Sequence, residues 1–148
     1  MFNPETVTGL HHTWTSKVGL TCHAVRETPL AHWRGYAVVP KGHIFYGKDY
    51  SDCIKPNPCQ SDEPYNYCEH TAEYMLSVHG GITFANHPGP SWAPNVDLDP
   101  SVLTSEWWLG FDCAHAGDDY PSSYFHDGVY RDLNYVIEQC EHLAEQLV

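Results

Sequence analysis

EWWLGFDCAHAGDD, residues 106–119, joins a strongly apolar segment to the densest polar cluster of the sequence. Its first part, Glu106 to Cys113, alternates between two faces as a strand does. The two faces are Trp107, Leu109 and Phe111 on one side, and Trp108, Gly110 and Asp112 on the other. Because the strand is rich in large apolar side chains, we expect it to be buried, with the polar residues after it lying where the sheet meets solvent.

Two earlier segments predict an antiparallel pair of strands. Gly19 to Arg26 and Trp33 to Val39 are rich in β-branched and aromatic residues. The segment between them contains Pro29 and several polar residues, which are suited to a turn. These two strands and the aromatic strand are expected to belong to one sheet.

A fourth strand is predicted around a pair of glycines. Glu73 to Val78 alternates with a period of two, which is typical of a half-buried strand. We expect this strand to continue through His79-Gly80-Gly81 into Ile82 to Ala85, with close approach of another group to the glycine backbone. A tight hairpin turn at the two glycines is the alternative.

The end of the chain predicts an amphipathic helix, Val129 to Val148. Its apolar side chains recur at helical spacings, and glutamates occupy the opposite face. The apolar stripe consists of Val129, Leu133, Val136, Ile137, Cys140, Leu143, Ala144 and Leu147. Asp127 is placed to cap the helix. The sequence therefore predicts an α+β fold, a mainly antiparallel sheet with a C-terminal amphipathic helix packed on it.

The length and composition predict one domain over residues 1–148. The 148 residues are 42% hydrophobic, which is enough for one core. Residues 1–15 are assigned to a variable arm, and residues 51–70 to an irregular insertion. The net charge of −12 repels nucleic-acid phosphates and anionic lipids, so neither is an expected partner. Without a membrane-spanning run or a signal-peptide pattern, we expect a cytoplasmic protein with reduced or metal-bound cysteines.

Polar residues after the aromatic strand form the candidate site. A turn at Ala116-Gly117 would bring Asp112, His115 and Asp118 together, with His79 from a neighbouring strand. Such side chains bind a divalent metal ion, here with His79, Asp112 and His115 as ligands, or hold a general base, here with Asp112, His115 and Asp118 as catalytic residues. The structural alternative is that the aspartates bond to their own backbone and the histidine satisfies a buried carbonyl.

The cysteines offer two further interpretations. Cys113 beside His115 has the pairing of a nucleophile and its base, but nearby carboxylates raise the pKa of a thiol, and a small buried side chain is the simpler interpretation. A second set, in the irregular insertion, matches the donors of a structural zinc site. Its members are Cys53, Cys59, Cys68 and His70. Their spacing is unlike the common zinc knuckle, so incidental reduced cysteines in a surface loop are the alternative.

Three other residues are candidates for ligand binding. Trp92 lies in a proline-rich stretch, where an indole can stack on a planar ligand, and Trp108 belongs to the same set of aromatic residues. Arg34 is the best candidate for bidentate binding of a phosphate. No Walker loop, dinucleotide fingerprint, His-Glu-x-x-His or Gly-x-Ser-x-Gly motif occurs, which removes the main support for those enzyme classes.

Four segments of the chain resemble a known family. They are GYAVVPKGH at 35–43, VHGGITF at 78–84, WWLGFDCAHAGD at 107–118 and YRDL at 130–133. In this order they resemble an uncharacterised family of small proteins encoded by bacteriophages and bacterial prophages. The second and third segments look like its hallmark, and Ser51 to His70 looks like an insertion in this member. The resemblance implies a phage or prophage source and an intracellular protein, and it implies no activity.

Two functions are compatible with these residues. The first is a small metal-assisted hydrolase, in which His79, Asp112, His115 and Asp118 hold a divalent ion such as zinc that activates water. The second is a noncatalytic phage protein that sequesters a small ligand or inhibits a host protein. We prefer the hydrolase because a sheet positions side chains rigidly at the ends of its strands. A structural role in a virion would leave the histidine cluster unexplained.

Overall fold

The computed structural model describes residues 10–54, 69–89, 98–99 and 101–148. The main strands are β1 (His11–Thr15), β2 (Thr21–Val25), β3 (Arg34–Val39), β4 (Phe84–Asn86) and β5 (Trp107–Asp112). They form one antiparallel sheet in the order β1-β2-β3-β5-β4. The short strands β6 (Asp118–Asp119) and β7 (Val129–Tyr130) form a separate parallel pair. The helices are α1 (Ala72–Met75), α2 (Val102–Ser105) and α3 (Leu133–Gln146).

Strand β5 lies between β3 and β4 and is buried, and its burial agrees with the prediction from its apolar pattern. Its two faces enter different clusters of side chains. Leu109 and Phe111 belong to the main core, together with the buried residues of α3. Trp108 packs with Val25 and Tyr36 in a second cluster. The middle of β5 is buried on both faces. Its last residue, Asp112, reaches solvent, since its side chain is 31% exposed.

Helix α3 packs on the sheet through its apolar stripe, which confirms the predicted α+β arrangement. Leu133, Val136 and Cys140 are each fully buried. A close approach at Gly35 in β3 makes this packing possible, because a Cβ there would lie 2.7 Å from Sγ of Cys140 and 2.5 Å from the ring of Phe111. Gly35 therefore sets how near the helix comes to the sheet.

The start of α3 differs from the prediction. Val129 continues the helical spacing of apolar residues but lies in β7, and the helix begins four residues later at Leu133. Its N-cap is Asp132, whose Oδ1 accepts a hydrogen bond from the backbone N–H of Tyr135 at 2.9 Å. Asp127 was therefore the wrong cap. Asp132 has the extended backbone of an N-cap, which hydrophobic spacing does not reveal.

The strand predicted over Glu73 to Val78 is wrong. Residues Ala72–Met75 form the one-turn helix α1 instead. Thr71 caps this turn, since its Oγ1 accepts a hydrogen bond from the backbone N–H of Tyr74 at 3.3 Å. Six alternating residues are too few to separate a strand from a capped helical turn, and here the local cap decides.

The two glycines after α1 form a turn rather than part of a continuous strand. Gly80 and Gly81 have φ angles of +69° and +83°, and the N–H of Gly81 donates to the carbonyl of Val78 at 2.9 Å. The turn connects α1 to β4, which begins at Phe84, so a hairpin between two strands is not formed either.

The N-terminal arm is shorter than predicted. His11–Thr15, assigned to the arm, form β1, because they find backbone partners along the free edge of β2. Residues 1–9 and most of the predicted insertion, residues 55–68, lie outside the described part of the chain. Within the described residues, no helix has the length and apolar composition that crossing a bilayer requires.

Candidate functional site

Asp118 and His79 meet at the end of the sheet, although 39 residues separate them in the chain. Nε2 of His79 lies 2.8 Å from Oδ2 of Asp118, and the two side chains are only 13% and 1% exposed. The turn that follows β5 supplies the carboxylate, since Gly117 has a φ of +90° and the N–H of Asp118 donates to the carbonyl of His115. The predicted turn at Ala116-Gly117 therefore places Asp118 against His79.

A hydrogen-bond network holds Asp118 ionised. Burial alone would raise the pKa of its carboxyl, but hydrogen bonds from His79, from Nε of Arg131 at 3.0 Å and from the backbone N–H of His115 at 3.0 Å outweigh burial and lower it. An ionised Asp118 can only accept a hydrogen bond, so Nε2–H of His79 is the donor, and Nδ1 of His79 lies 2.7 Å from the hydroxyl of Tyr135. Both nitrogens of His79 are thus engaged.

His115 and Asp112 form a second, more open pair. Nε2 of His115 lies 3.2 Å from Oδ1 of Asp112, and the side chains are 33% and 31% exposed. The two atoms are close, but their alignment makes no directed hydrogen bond, and Nε2 is buried without a hydrogen-bond partner. A buried ring nitrogen in this state requires a functional or structural explanation.

Gly80 brings the two histidine pairs together. A Cβ at Gly80 would lie 2.3 Å from Nε2 of His115, so only a glycine leaves room for the imidazole. The rings of His79 and His115 then lie 6.0 Å apart between centroids in an edge-to-face arrangement. The expected close approach to the His-Gly-Gly backbone is therefore present, and the approaching group is His115.

A cavity of about 200 Å³ adjoins the more open pair. His115 is one of its lining residues, and the segment before β7 contributes Tyr120, Ser123, Phe125 and Asp127. This segment is anchored at several points. The N–H of Ser122 donates to the carbonyl of Leu30 at 2.8 Å, and Nδ1 of His126 lies 2.7 Å from Oδ1 of Asp119. The cavity therefore has a wall that the fold holds in place.

The structure brings together all four predicted site residues, His79, Asp112, His115 and Asp118, but their donor atoms do not converge on one point. The two carboxylate oxygens of Asp118 accept hydrogen bonds from His79, from Arg131 and from the backbone N–H of His115. Within the described residues, no group of three or more His, Cys, Asp or Glu side chains is arranged to hold a metal ion. Divalent metal binding stays a prediction, and it would require Asp118 and His79 to exchange hydrogen bonds for coordination.

The cysteines take different places. Cys113 is 1% exposed, and burial, followed by the charges of Asp118 and Asp112, raises the pKa of its thiol to about 12. This environment supports the interpretation as a small buried side chain, since a thiolate is required for nucleophilic attack. In the predicted zinc set, Cys53 and His70 lie on either side of the segment outside the described residues, and Cys59 and Cys68 lie within it.

The three predicted ligand-binding residues also separate. Trp108 is fully buried and stacks on His23 with ring centroids 4.1 Å apart, so it serves the core and has no surface for a ligand. Arg34 lies opposite Asp112 in the pairing of β3 with β5, and its role in phosphate binding stays a prediction. Trp92 lies outside the described residues.

Sequence reasoning missed two residues of the network and the aromatic part of the cavity wall. Tyr135 lies in the first turn of α3, and Arg131 precedes that helix. The guanidinium of Arg131 lies 4.8 Å from the ring centroid of Tyr135, over its face. The segment YRDL at 130–133 was noted only as part of a resemblance, and its nearness to the histidine cluster depends on how α3 docks on the sheet.

Comparison with known proteins adds nothing to this geometry, because no family model, no curated protein and no solved structure matches the chain. The site must therefore be interpreted from its own residues.

Proposed function

We propose that the protein is a hydrolase whose general base is His115. The observation that carries the proposal is the position of His115, a lining residue of the cavity whose Nε2 lies 3.2 Å from the Asp112 carboxylate. Imidazole is the commonest general base in enzymes, because its ordinary pKa lies near neutral pH. A carboxylate beside the ring stabilises the imidazolium that forms when the base takes a proton.

In the proposed reaction, His115 removes a proton from a water molecule in the cavity as that water attacks the substrate. The proton stays on His115 and is then delivered to the leaving group. Asp112 stabilises the charged ring in between. Asp118 positions the base by accepting a hydrogen bond from its backbone N–H, and His79, Tyr135 and Arg131 hold Asp118. His79 and Asp118 are therefore positioning residues in this proposal.

A divalent metal ion such as zinc remains the alternative means of activating water. It would use His79, Asp112 and His115 as ligands and would displace the hydrogen bonds described above. The two forms of the proposal differ in their response to chelation, since a reaction that depends on His115 alone continues in the presence of EDTA.

The test is a hydrolysis screen with chromogenic carboxylic esters, phosphoric esters and glycosides, run with EDTA and with added Zn²⁺ or Mn²⁺. We expect turnover of at least one of these substrate classes in the presence of EDTA. Replacing the base, His115→Gln, should lower kcat by about 100-fold or more, and Asp112→Asn should lower it less. His142→Gln is the matched control, because His142 is an exposed histidine on α3.

Activity that is unchanged in His115→Gln would refute the proposal. Activity that is lost with EDTA and restored by one metal ion would replace it with the metal-assisted form. No turnover of any ester, together with binding of a small molecule in the cavity, would favour the second function, a protein that sequesters a ligand.

One observation favours this second function independently. Tyr124 and Phe125 are 91% and 70% exposed, and their rings make an edge-to-face contact next to the cavity. Exposed aromatic side chains beside a concavity are typical of recognition surfaces. A phage or prophage source, implied by the family resemblance, would fit a protein that binds a small signal molecule of its host.

A further inference from the structure

We infer that the cavity beside His115 binds a small organic cation, an ammonium group carried on a compact apolar or aromatic body. The inference rests on the proposed function only in assigning the ligand to the same cavity. It identifies the class of substrate or ligand, which the acid–base residues alone do not.

The charge of the cavity wall favours a cation. Among the described residues, the lining includes Asp118 and Asp127 and no lysine or arginine, and the side chain of Asp118 is only 1% exposed. Asp118 is occupied by its own hydrogen bonds, so Asp127, which is exposed, is the carboxylate left to meet a ligand. The neighbouring Asp119 and the overall charge of −12 add to an attractive field for cations and oppose the entry of anions.

The aromatic residues of the wall favour an organic cation over a metal ion. Tyr120 and Phe125 both line the cavity, and a ring face attracts an ammonium group within about 6 Å of its centroid. Phe125 is 70% exposed without a ligand, so a bound molecule would remove apolar surface from water. A hard metal ion would gain nothing from these rings, whereas an amine with an apolar body uses both the rings and the carboxylate.

The size of the cavity limits the ligand. Its volume of about 200 Å³ is below the roughly 300 to 1,000 Å³ of sites for drug-sized molecules. A group of the size of benzylamine is therefore a suitable probe. A peptide or a nucleotide would extend well outside the cavity.

Hydrogen bonds and a ring contact within the protein order the cavity wall when no ligand is bound. Oγ of Ser123 donates to the carbonyl of Phe125 at 2.8 Å, and the N–H of Ser123 donates to the carbonyl of Tyr120 at 2.9 Å. The ring of Tyr120 contacts His32, with centroids 5.1 Å apart. This order lowers the entropy that binding would otherwise cost.

The test uses three probes of similar shape and different charge: benzylamine, benzyl alcohol and benzoate. Binding is followed by two-dimensional NMR of the ¹⁵N-labelled protein at low salt, without any turnover. We expect benzylamine to bind at least fivefold more tightly than benzyl alcohol, and benzoate not to bind. The shifted amide signals should belong to residues 114–127.

Two variants locate the site. Asp127→Asn and Phe125→Leu should each weaken benzylamine binding about three- to fivefold, as expected for one exposed carboxylate or one exposed ring. Asp52→Asn is the matched control, because it removes one negative charge at an exposed aspartate elsewhere on the chain and should leave the affinity unchanged.

Equal binding of benzyl alcohol and benzylamine, or a benzylamine affinity that neither Asp127→Asn nor Phe125→Leu lowers, would overturn the inference. Benzylamine binding in the cavity without hydrolysis of any ester would uphold the ligand class and count against the proposed reaction. Hydrolysis that depends on His115, combined with no preference for the cation, would support the proposed reaction and overturn the inferred ligand class.

Discussion

Gly80 is the residue whose replacement tests the site most directly. A side chain at Gly80 meets the imidazole of His115 at 2.3 Å, and the backbone φ of +69° is strained for any other residue. We expect Gly80→Ala to lose stability by about 1 to 3 kcal/mol and to displace the His115 ring. Chemical denaturation measures the first effect, and the imidazole signals of His115 in NMR spectra measure the second.

Gly81→Ala separates the two effects. Gly81 has a similar φ of +83°, but a Cβ there meets no atom within 4 Å. This variant should show the cost of backbone strain and leave the signals of His115 in place. If both variants move His115 equally, or if neither does, the close contact at Gly80 does not position the base.

The nearness of Asp112, His115 and Asp118 could be predicted from the sequence because they lie at or just after the end of an apolar strand. His79 was expected on a neighbouring strand and lies instead at the start of a glycine turn. The hydrogen bonds that link them could not be predicted. They depend on the close approach at Gly80 and on the docking of α3, and both are properties of the folded chain.

The contribution of the N-cap of α3 to stability can be tested by substitution. Asp132 accepts a hydrogen bond from the N–H of Tyr135 at 2.9 Å, so Asp132→Ala should lower the free energy of unfolding by about 1 kcal/mol. Because Tyr135 also bonds to His79, fraying of this first turn should loosen the network around Asp118. Urea denaturation followed by circular dichroism gives the change in stability.

Asp127→Ala is the matched control for this cap. Asp127 is exposed and lies six residues before the helix, so its loss should change the stability by less than about 0.5 kcal/mol. A larger loss from Asp127→Ala than from Asp132→Ala would show that the helix starts where the apolar spacing first suggested.

Elements with long patterns were predicted well, and short ones were not. The aromatic alternation of β5 and the six-residue stripe of α3 leave little choice of structure, since burying them requires a strand and a helix. Helix α1 has only four residues, and its cap decided against the strand that its alternation suggested. Strand β1 carries mostly polar residues, and its pairing with the backbone of β2 is not evident from its sequence pattern.

The polar site around His115 and the second buried cluster, formed by Val25, Tyr36 and Trp108, lie on different parts of the same sheet. His23 belongs near the second cluster, where it is 2% exposed and stacked on Trp108. Its Nδ1 lies 2.9 Å from Nε2 of His11, and its own Nε2 is buried without a hydrogen-bond partner. Since β2 and β3 connect this histidine to the main core, its charge state bears on the stability of the whole fold.

The stability of the fold should therefore fall in mild acid through His23. Burial, with a smaller contribution from His11, lowers the pKa of His23 to about 3. The unfolded chain takes up a proton below about pH 6.5 and the folded chain does not, so stability is complete above that pH and is lost as the pH falls towards 3. The loss should reach about 2 kcal/mol at pH 5.

Urea denaturation at pH 7 and pH 5 measures this loss. His23→Gln should remove most of the difference between the two pH values, whereas the exposed control His142→Gln should retain it. Burial also lowers the pKa of His32 and of His43, so these histidines contribute to the loss over the same range, whereas Asp118, whose pKa is lowered too, contributes only below about pH 4. A difference between pH 7 and pH 5 that is as large in His23→Gln as in the unsubstituted protein would contradict the assignment.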